Sequence, residues 1–124
     1  MQTGIVIFGH GSSVPSANDA VVRVAAEAAL AGSFALSETA FLEVSPTLRE
    51  ATAKLVGRGA QEILVIPYFL TLGIHLQRDL PRIIEELSIE FGGLPMRVTP
   101  PLDGHPALSG IVVDRVREAM ATAV

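Results

Sequence analysis

The 124-residue chain contains no cysteine. Disulfides, thiolate metal sites, cysteine-ligated iron–sulfur clusters and cysteine nucleophiles are therefore excluded. The same absence is compatible with a reducing cytoplasm. Residues 1–4 also lack the basic region that opens a secretory signal peptide, so we expect a cytoplasmic protein.

Positive charge is scarce. The chain has nine basic against thirteen acidic residues, a net charge of −4, and Lys54 is its only lysine. A protein that binds nucleic acid through the phosphate backbone needs a basic surface, so we expect no nucleic-acid partner.

Long apolar runs are absent as well. Arg23 and Glu27 interrupt the longest Ala/Val stretch, and no run reaches the about 18 residues of a membrane-spanning helix. Yet 49% of residues are apolar and only 18% are charged, which excludes a disordered chain. We expect one domain over residues 1–124, no membrane partner, and apolar surface buried in a core, a subunit interface or a ligand cleft.

The glycine-rich segment Gly9-His10-Gly11-Ser12-Ser13 fits no nucleotide motif. Val14 stands where G-x-G-x-x-G needs its third glycine, and the chain has no G-x-x-x-x-G-K. The G-x-S-x-G elbow of hydrolases and the arginine before His-Gly of phosphohistidine phosphatases are also missing. ATP or dinucleotide use therefore has no support.

Strand-like and helix-like segments alternate four times. Short runs rich in β-branched residues predict strands at 4–8, 36–44, 62–67 and 95–100. Such βα units predict an α/β fold with a parallel sheet, helices on both faces and the doubly wound, flavodoxin-like strand order 2-1-3-4.

Helix starts can be predicted from local signals. Capping boxes at Ser16–Asp19 and Thr47–Glu50 predict the first two helices. Asp79 is expected to cap the third helix, with Pro81 in its first turn. Pro106 opens the fourth, which carries an apolar face of Leu108, Val112, Val116 and Ala119.

Every predicted strand is followed by a potential metal ligand. His10, Glu43, His75 and His105 occur at intervals of 30 to 33 residues, each at a carboxyl end. In open α/β sheets ligands bind at that edge, beside the switch between strands one and three, which His10 and His75 flank. Imidazoles with a carboxylate suit cobalt, nickel, iron or zinc.

Simpler interpretations stay open. A histidine in a glycine-rich loop is more often a local hydrogen-bonding group, and His105, next to Pro106, orders a helix start. Arg78 and Arg82 pair either with substrate carboxylates or with surface glutamates. The apolar segment 68–74 (YFLTLGI) packs under the sheet edge, contacts a second subunit, or forms a wall for a flat aromatic ligand beside His75.

These residues resemble the small single-domain sirohydrochlorin chelatases of the CbiX/SirB type. The matching motifs run in order over nearly the whole chain: GHGS at 9–12, FLE at 41–43 with SP at 45–46, GA at 59–60, VIPYFL at 65–70, GIH at 73–75 with DLP at 79–81, and weakly PL at 101–102 and GHP at 104–106. The block G-x-H-x-x-x-D-[IL]-P is the most specific of them.

The resemblance implies a lyase that inserts a divalent metal, cobalt in the first place or else iron or nickel, into a sirohydrochlorin-type tetrapyrrole without nucleotide. Such chelation serves cobalamin or siroheme biosynthesis. His10, Glu43 and His75 would bind the metal and would be the catalytic residues. One of the two histidines would also accept a pyrrole proton, and Glu43 would balance charge or take a proton as well; the sequence does not assign these proton roles separately. Larger chelatases of this kind build their cleft between two α/β halves, so we expect a homodimer. The alternative is a non-catalytic metal or tetrapyrrole carrier, or a diverged paralogue.

Overall fold

The computed structural model describes residues 2–122 and contains, in that range, a four-stranded parallel sheet of order β2-β1-β3-β4. The strands are β1 (Thr3–Gly9), β2 (Ser37–Phe41), β3 (Glu62–Pro67) and β4 (Met96–Val98). The helices are α1 (Pro15–Gly32), α2 (Leu48–Gly57), α3 (Ile74–Glu90) and α4 (Ala107–Ala121). The predicted α/β fold and strand order are confirmed.

The two faces of the sheet are covered unequally. Val6 and Phe8 of β1 belong to the larger core, which α2 and α3 complete with Leu48, Leu55, Leu76, Leu80, Ile84 and Leu87. Ile5 and Ile7 belong to a smaller cluster with Ala25 of α1. Because side chains alternate along a strand, β1 supplies both layers and is the centre of the fold.

Helix α4 contains no buried residue among those described. Its expected apolar face stays largely open, with Val112 62% and Val116 51% exposed. Strand β4 is only three residues long and lies at the sheet edge, so it offers little surface for α4 to cover. Within residues 2–122, no helix combines the length and hydrophobicity needed to cross a bilayer.

The first two helices begin differently. At α2 the predicted capping box is confirmed: the Glu50 N–H donates to Thr47 Oγ1 at 3.2 Å, and Thr47 N–H donates to Glu50 Oε1 at 2.9 Å. That Thr47 N–H and the Ser45 hydroxyl lower the pKa of Glu50. The box predicted at Ser16 is wrong, because α1 begins at Pro15 after Val14 with no side-chain cap. Proline holds the residue before it in an extended conformation, which fixes the start there.

The predicted start of α3 is also wrong. The helix begins at Ile74 after Gly73, so Asp79 does not cap it and Pro81 lies inside it. Burial of Leu76 and Leu80 against the sheet stabilises the extra turn despite the hydrogen bond that Pro81 cannot make. The expected cap at Asp79 would leave His75 before the helix, but His75 lies in the first turn of α3.

Candidate active site

The pairing of β1 with β2 continues past both strands and brings His10 beside Glu43. The Leu42 N–H donates to the carbonyl oxygen of Gly9 at 3.0 Å, and the Glu43 N–H donates to that of His10 at 2.8 Å. The side chains meet as well, with His10 Nε2 lying 3.9 Å from Glu43 Oε1. The two predicted ligands thus lie at one sheet edge.

The imidazole of His10 is oriented by its surroundings. Its Nδ1 lies 3.1 Å from the carbonyl oxygen of Gly11, which can only accept, so Nδ1 carries the proton. Phe69 meets the ring edge-on, with centroids 6.3 Å apart and an interplanar angle of 80°. The Nε2 lone pair is therefore left for a metal, as in metal-binding histidines that donate their other N–H to a carbonyl.

The loop after His10 is held by α1. The Ser12 N–H donates to Asn18 Oδ1 at 2.9 Å, and Asn18 Nδ2 donates back to the Ser12 carbonyl at 2.8 Å. Gly11 has a φ of +88°, and a Cβ there would lie 3.0 Å from side-chain atoms of Phe41 and Val44. Glycine is thus needed at this turn, which directs His10 towards Glu43.

One face of α3 forms the opposite wall of the site. His75, Arg78, Asp79 and Arg82 follow at helical spacing on the side away from the core residues Leu76 and Leu80. Arg78 Nη2 lies 3.3 Å from His75 Nδ1, and Arg78 Nε donates to Asp79 Oδ1 at 3.1 Å. Arg82 Nη1 pairs with Glu86 at 3.1 Å.

The edge that carries His10 and Glu43 and the polar face of α3 form the two walls of an open cleft of about 470 Å³. Its residues are His10, Leu42, Glu43, Phe69, Gly73, Ile74, His75, Leu76, Asp79, Arg82 and Ile83. In the adjoining segment 68–74, Phe69 and Leu72 pack against the larger core, while Leu70 and Ile74 are 64% and 79% exposed. The site is therefore a polar centre beside an exposed apolar rim.

The structure brings the three predicted ligands into this cleft but does not close them into one metal site. Across residues 2–122, no group of three or more His, Asp or Glu side chains is near enough to hold an ion. His10 Nε2 and Glu43 Oε1 can contact one ion together, since such bonds are about 2.0–2.2 Å long.

The fourth candidate lies elsewhere. His105 lines a separate, mostly apolar cavity of about 420 Å³ between α1 and α4. Its Nδ1 accepts the Ala107 N–H at 3.0 Å, so the interpretation of His105 as a helix-start residue agrees with its contacts.

Asp79 is a cleft residue that sequence reasoning placed at a helix cap. It is half-buried beside Arg78 and Arg82. Its spacing of four from His75 is the signal that identifies it, because residues at i and i+4 share one face of a helix. The signal is visible only when the helix is taken to begin at Ile74.

Known proteins share this fold over the whole chain. A crystal structure of a cobalamin (vitamin B12) biosynthesis CbiX protein from Marinobacter aquaeolei VT8 matches with a TM-score of 0.85 and 28% identity, covering 98% of this chain and 99% of that one. The sirohydrochlorin chelatase SirB from Bacillus subtilis subspecies spizizenii, solved with cobalt, matches with a TM-score of 0.87 and 24% identity. The match covers 95% of this chain but 51% of SirB.

Sequence relatives agree with the structural neighbours. The sirohydrochlorin cobaltochelatase of Methanosarcina acetivorans is 33% identical over 127 residues, which cover 96% of this chain and 98% of the relative. The family model CbiX matches residues 4–119, the stretch that carries all the motifs described above. The chain therefore belongs to the CbiX family of chelatase enzymes.

Proposed function

We propose that this protein inserts cobalt(II) into sirohydrochlorin without a nucleotide. The observation that carries the proposal is the close approach of His10 Nε2 and Glu43 Oε1, 3.9 Å apart, in a cleft whose facing wall presents His75. The name of the Methanosarcina relative, a sirohydrochlorin cobaltochelatase, supports both the metal and the macrocycle.

Chelation needs a metal that is held and then released. His10 and Glu43 supply one neutral nitrogen and one carboxylate oxygen, and both side chains are more than half exposed. Nitrogen and oxygen ligands suit cobalt, iron and nickel. Two exposed ligands hold an ion less tightly than a closed cage of four, which favours transfer to the macrocycle nitrogens.

Chelation also needs acceptors for two pyrrole protons. A neutral imidazole can accept a proton and later release it near neutral pH. His75 faces the cleft from the wall opposite His10, so a macrocycle bound between them has a histidine on each side. Glu43 balances the charge of the metal and is a third acceptor.

The macrocycle binds against the apolar part of the cleft. Phe69 lines it, and Leu42 and Ile74 extend the same surface outward, at 38% and 79% exposure. Ligand sites bury about 70–90% of a ligand's surface, and this open cleft covers much less of a tetrapyrrole. We therefore propose a homodimer in which a second copy closes the cleft over the macrocycle, with the active edges facing one shared cavity.

The test is anaerobic incubation of the purified protein with sirohydrochlorin and cobalt(II) in buffer free of nucleotides. We expect the absorbance spectrum to change to that of the metallated macrocycle at a rate above that of the uncatalysed mixture. A protein that binds metal and macrocycle but does not accelerate the change is a carrier, and that result would contradict the proposal.

A further inference from the structure

Arg78 donates a hydrogen bond to the ring nitrogen Nδ1 of His75. The distance from Arg78 Nη2 to His75 Nδ1 is 3.3 Å. A guanidinium has only donors, so His75 Nδ1 accepts and the proton of the neutral ring lies on Nε2. In this arrangement neither ring nitrogen of His75 offers a lone pair to a cation.

His10 is in the opposite state. Its Nδ1 donates to the Gly11 carbonyl, so its Nε2 lone pair is available next to Glu43. The two histidines of the cleft are therefore not equivalent: His10 is ready to bind a metal and His75 is not.

Arg78 is free to turn elsewhere without disturbing the fold. Its side chain is 71% exposed, and the polar contacts the structure gives it are with His75 and Asp79. A carboxylate accepts two parallel hydrogen bonds from a guanidinium and binds it more strongly than a neutral nitrogen does. Sirohydrochlorin carries carboxylate groups around its periphery, which makes it a competitor for Arg78.

We propose that Arg78 is a positioning residue that holds His75 until the macrocycle arrives. When its guanidinium turns to a carboxylate of the substrate, Nδ1 of His75 is freed to bind the metal or accept a pyrrole proton. The identity of the incoming carboxylate rests on the proposed function, whereas the hold on His75 does not. His10 and Glu43 then bind the metal first, and His75 joins after substrate binding.

The hold on His75 is tested by cobalt(II) affinity without macrocycle, measured by calorimetry. Arg78→Ala frees Nδ1 and is expected to tighten cobalt binding by about two- to fivefold, the range of an exposed polar pair. Arg82→Ala is the matched control, since it removes an equal charge one turn along the same wall without a contact to His75. We expect Arg82→Ala to tighten cobalt(II) binding by less than half as much as Arg78→Ala does. In a His75→Ala background, Arg78→Ala should give no gain.

The movement of the Arg78 guanidinium to the substrate is tested by steady-state chelation kinetics. Arg78→Ala is expected to raise KM for sirohydrochlorin. Arg78→Lys is expected to bring KM back towards the wild-type value, because lysine keeps the positive charge. Unchanged or weaker cobalt binding by Arg78→Ala, or an equal gain in the His75→Ala background, would overturn the proposal. If the wild type inserts no cobalt, the proposed function fails, and the cobalt affinities still decide whether Arg78 holds His75.

Discussion

The backbone N–H of Glu43 donates to the carbonyl oxygen of His10 at 2.8 Å. This hydrogen bond extends the β1–β2 pairing beyond the last residues of both strands, so the sheet holds the backbones of the two residues side by side. The carboxyl ends of parallel neighbouring strands lie at the same edge of a sheet, so the ends of β1 and β2 bring these two residues together.

The Glu43 carboxylate can be removed without breaking that backbone bond. We expect Glu43→Gln to keep the fold and to weaken cobalt(II) binding at least about tenfold, because losing a ligand costs no less than losing one of its supporting groups. Calorimetric titration with cobalt(II) measures the effect, with Glu27→Gln on the exposed side of α1 as the control. Equal cobalt(II) affinities of the wild type and Glu43→Gln would show that Glu43 is not a ligand.

The turn at Gly11 can also be tested by substitution. Gly11→Ala adds a Cβ at a φ of +88°, 3.0 Å from Phe41 and Val44 atoms, and is expected to cost about 1–3 kcal/mol in the free energy of unfolding. Gly73→Ala is the control, since Gly73 has a negative φ and nothing lies within 4 Å of its Cβ position. Urea denaturation separates the two, and equal stability of both variants would show that the turn is not constrained.

Local signals predict structure where tertiary packing agrees with them. The box of Thr47 and Glu50 forms because nothing else competes for that helix start. Ser16 has similar local chemistry, but the helix begins at Pro15, two residues earlier than a cap at Ser16 predicts, and Ser16 lies inside it. For α3, the rule that proline prefers the first turn gives way to the burial of Leu76 and Leu80.

The side-chain arrangement in the cleft is beyond sequence patterns. Spacing places His10, Glu43 and His75 at one edge, as the structure has them. It does not indicate which nitrogen of each imidazole is occupied, because that depends on the rotamers of exposed groups such as Arg78. The sequence also does not predict that the apolar face of α4 is exposed, because the spacing of its apolar residues is that of a buried helix.

His105 provides a contrast to the cleft histidines. His105→Ala removes the acceptor of the Ala107 N–H and is expected to lower the free energy of unfolding by about 0.5–1 kcal/mol, as for a lost helix cap. Chelation should stay close to wild type when measured at a temperature well below Tm. A loss of activity as large as that of a cleft histidine would give His105 a direct role.

The proposed dimer can be tested at the rim of the cleft. Ile74 is 79% exposed in a single chain, and Ile74→Asp is expected to shift the dimer to monomer and to reduce chelation. Ile89→Asp is the matched control, because Ile89 is 70% exposed at the far end of the same helix. Light scattering at micromolar concentration reports the assembly. A wild-type monomer with full activity would refute the dimer.

The most direct test of the central claim is cobalt insertion by the two cleft histidine variants. His10→Ala and His75→Ala both change exposed side chains, so we expect circular dichroism and Tm to stay near wild type. Under anaerobic conditions with sirohydrochlorin and cobalt(II), we predict that the wild type and His105→Ala form the metallated chromophore and that neither cleft variant exceeds the protein-free rate. Near-normal insertion by either His10→Ala or His75→Ala would contradict the account.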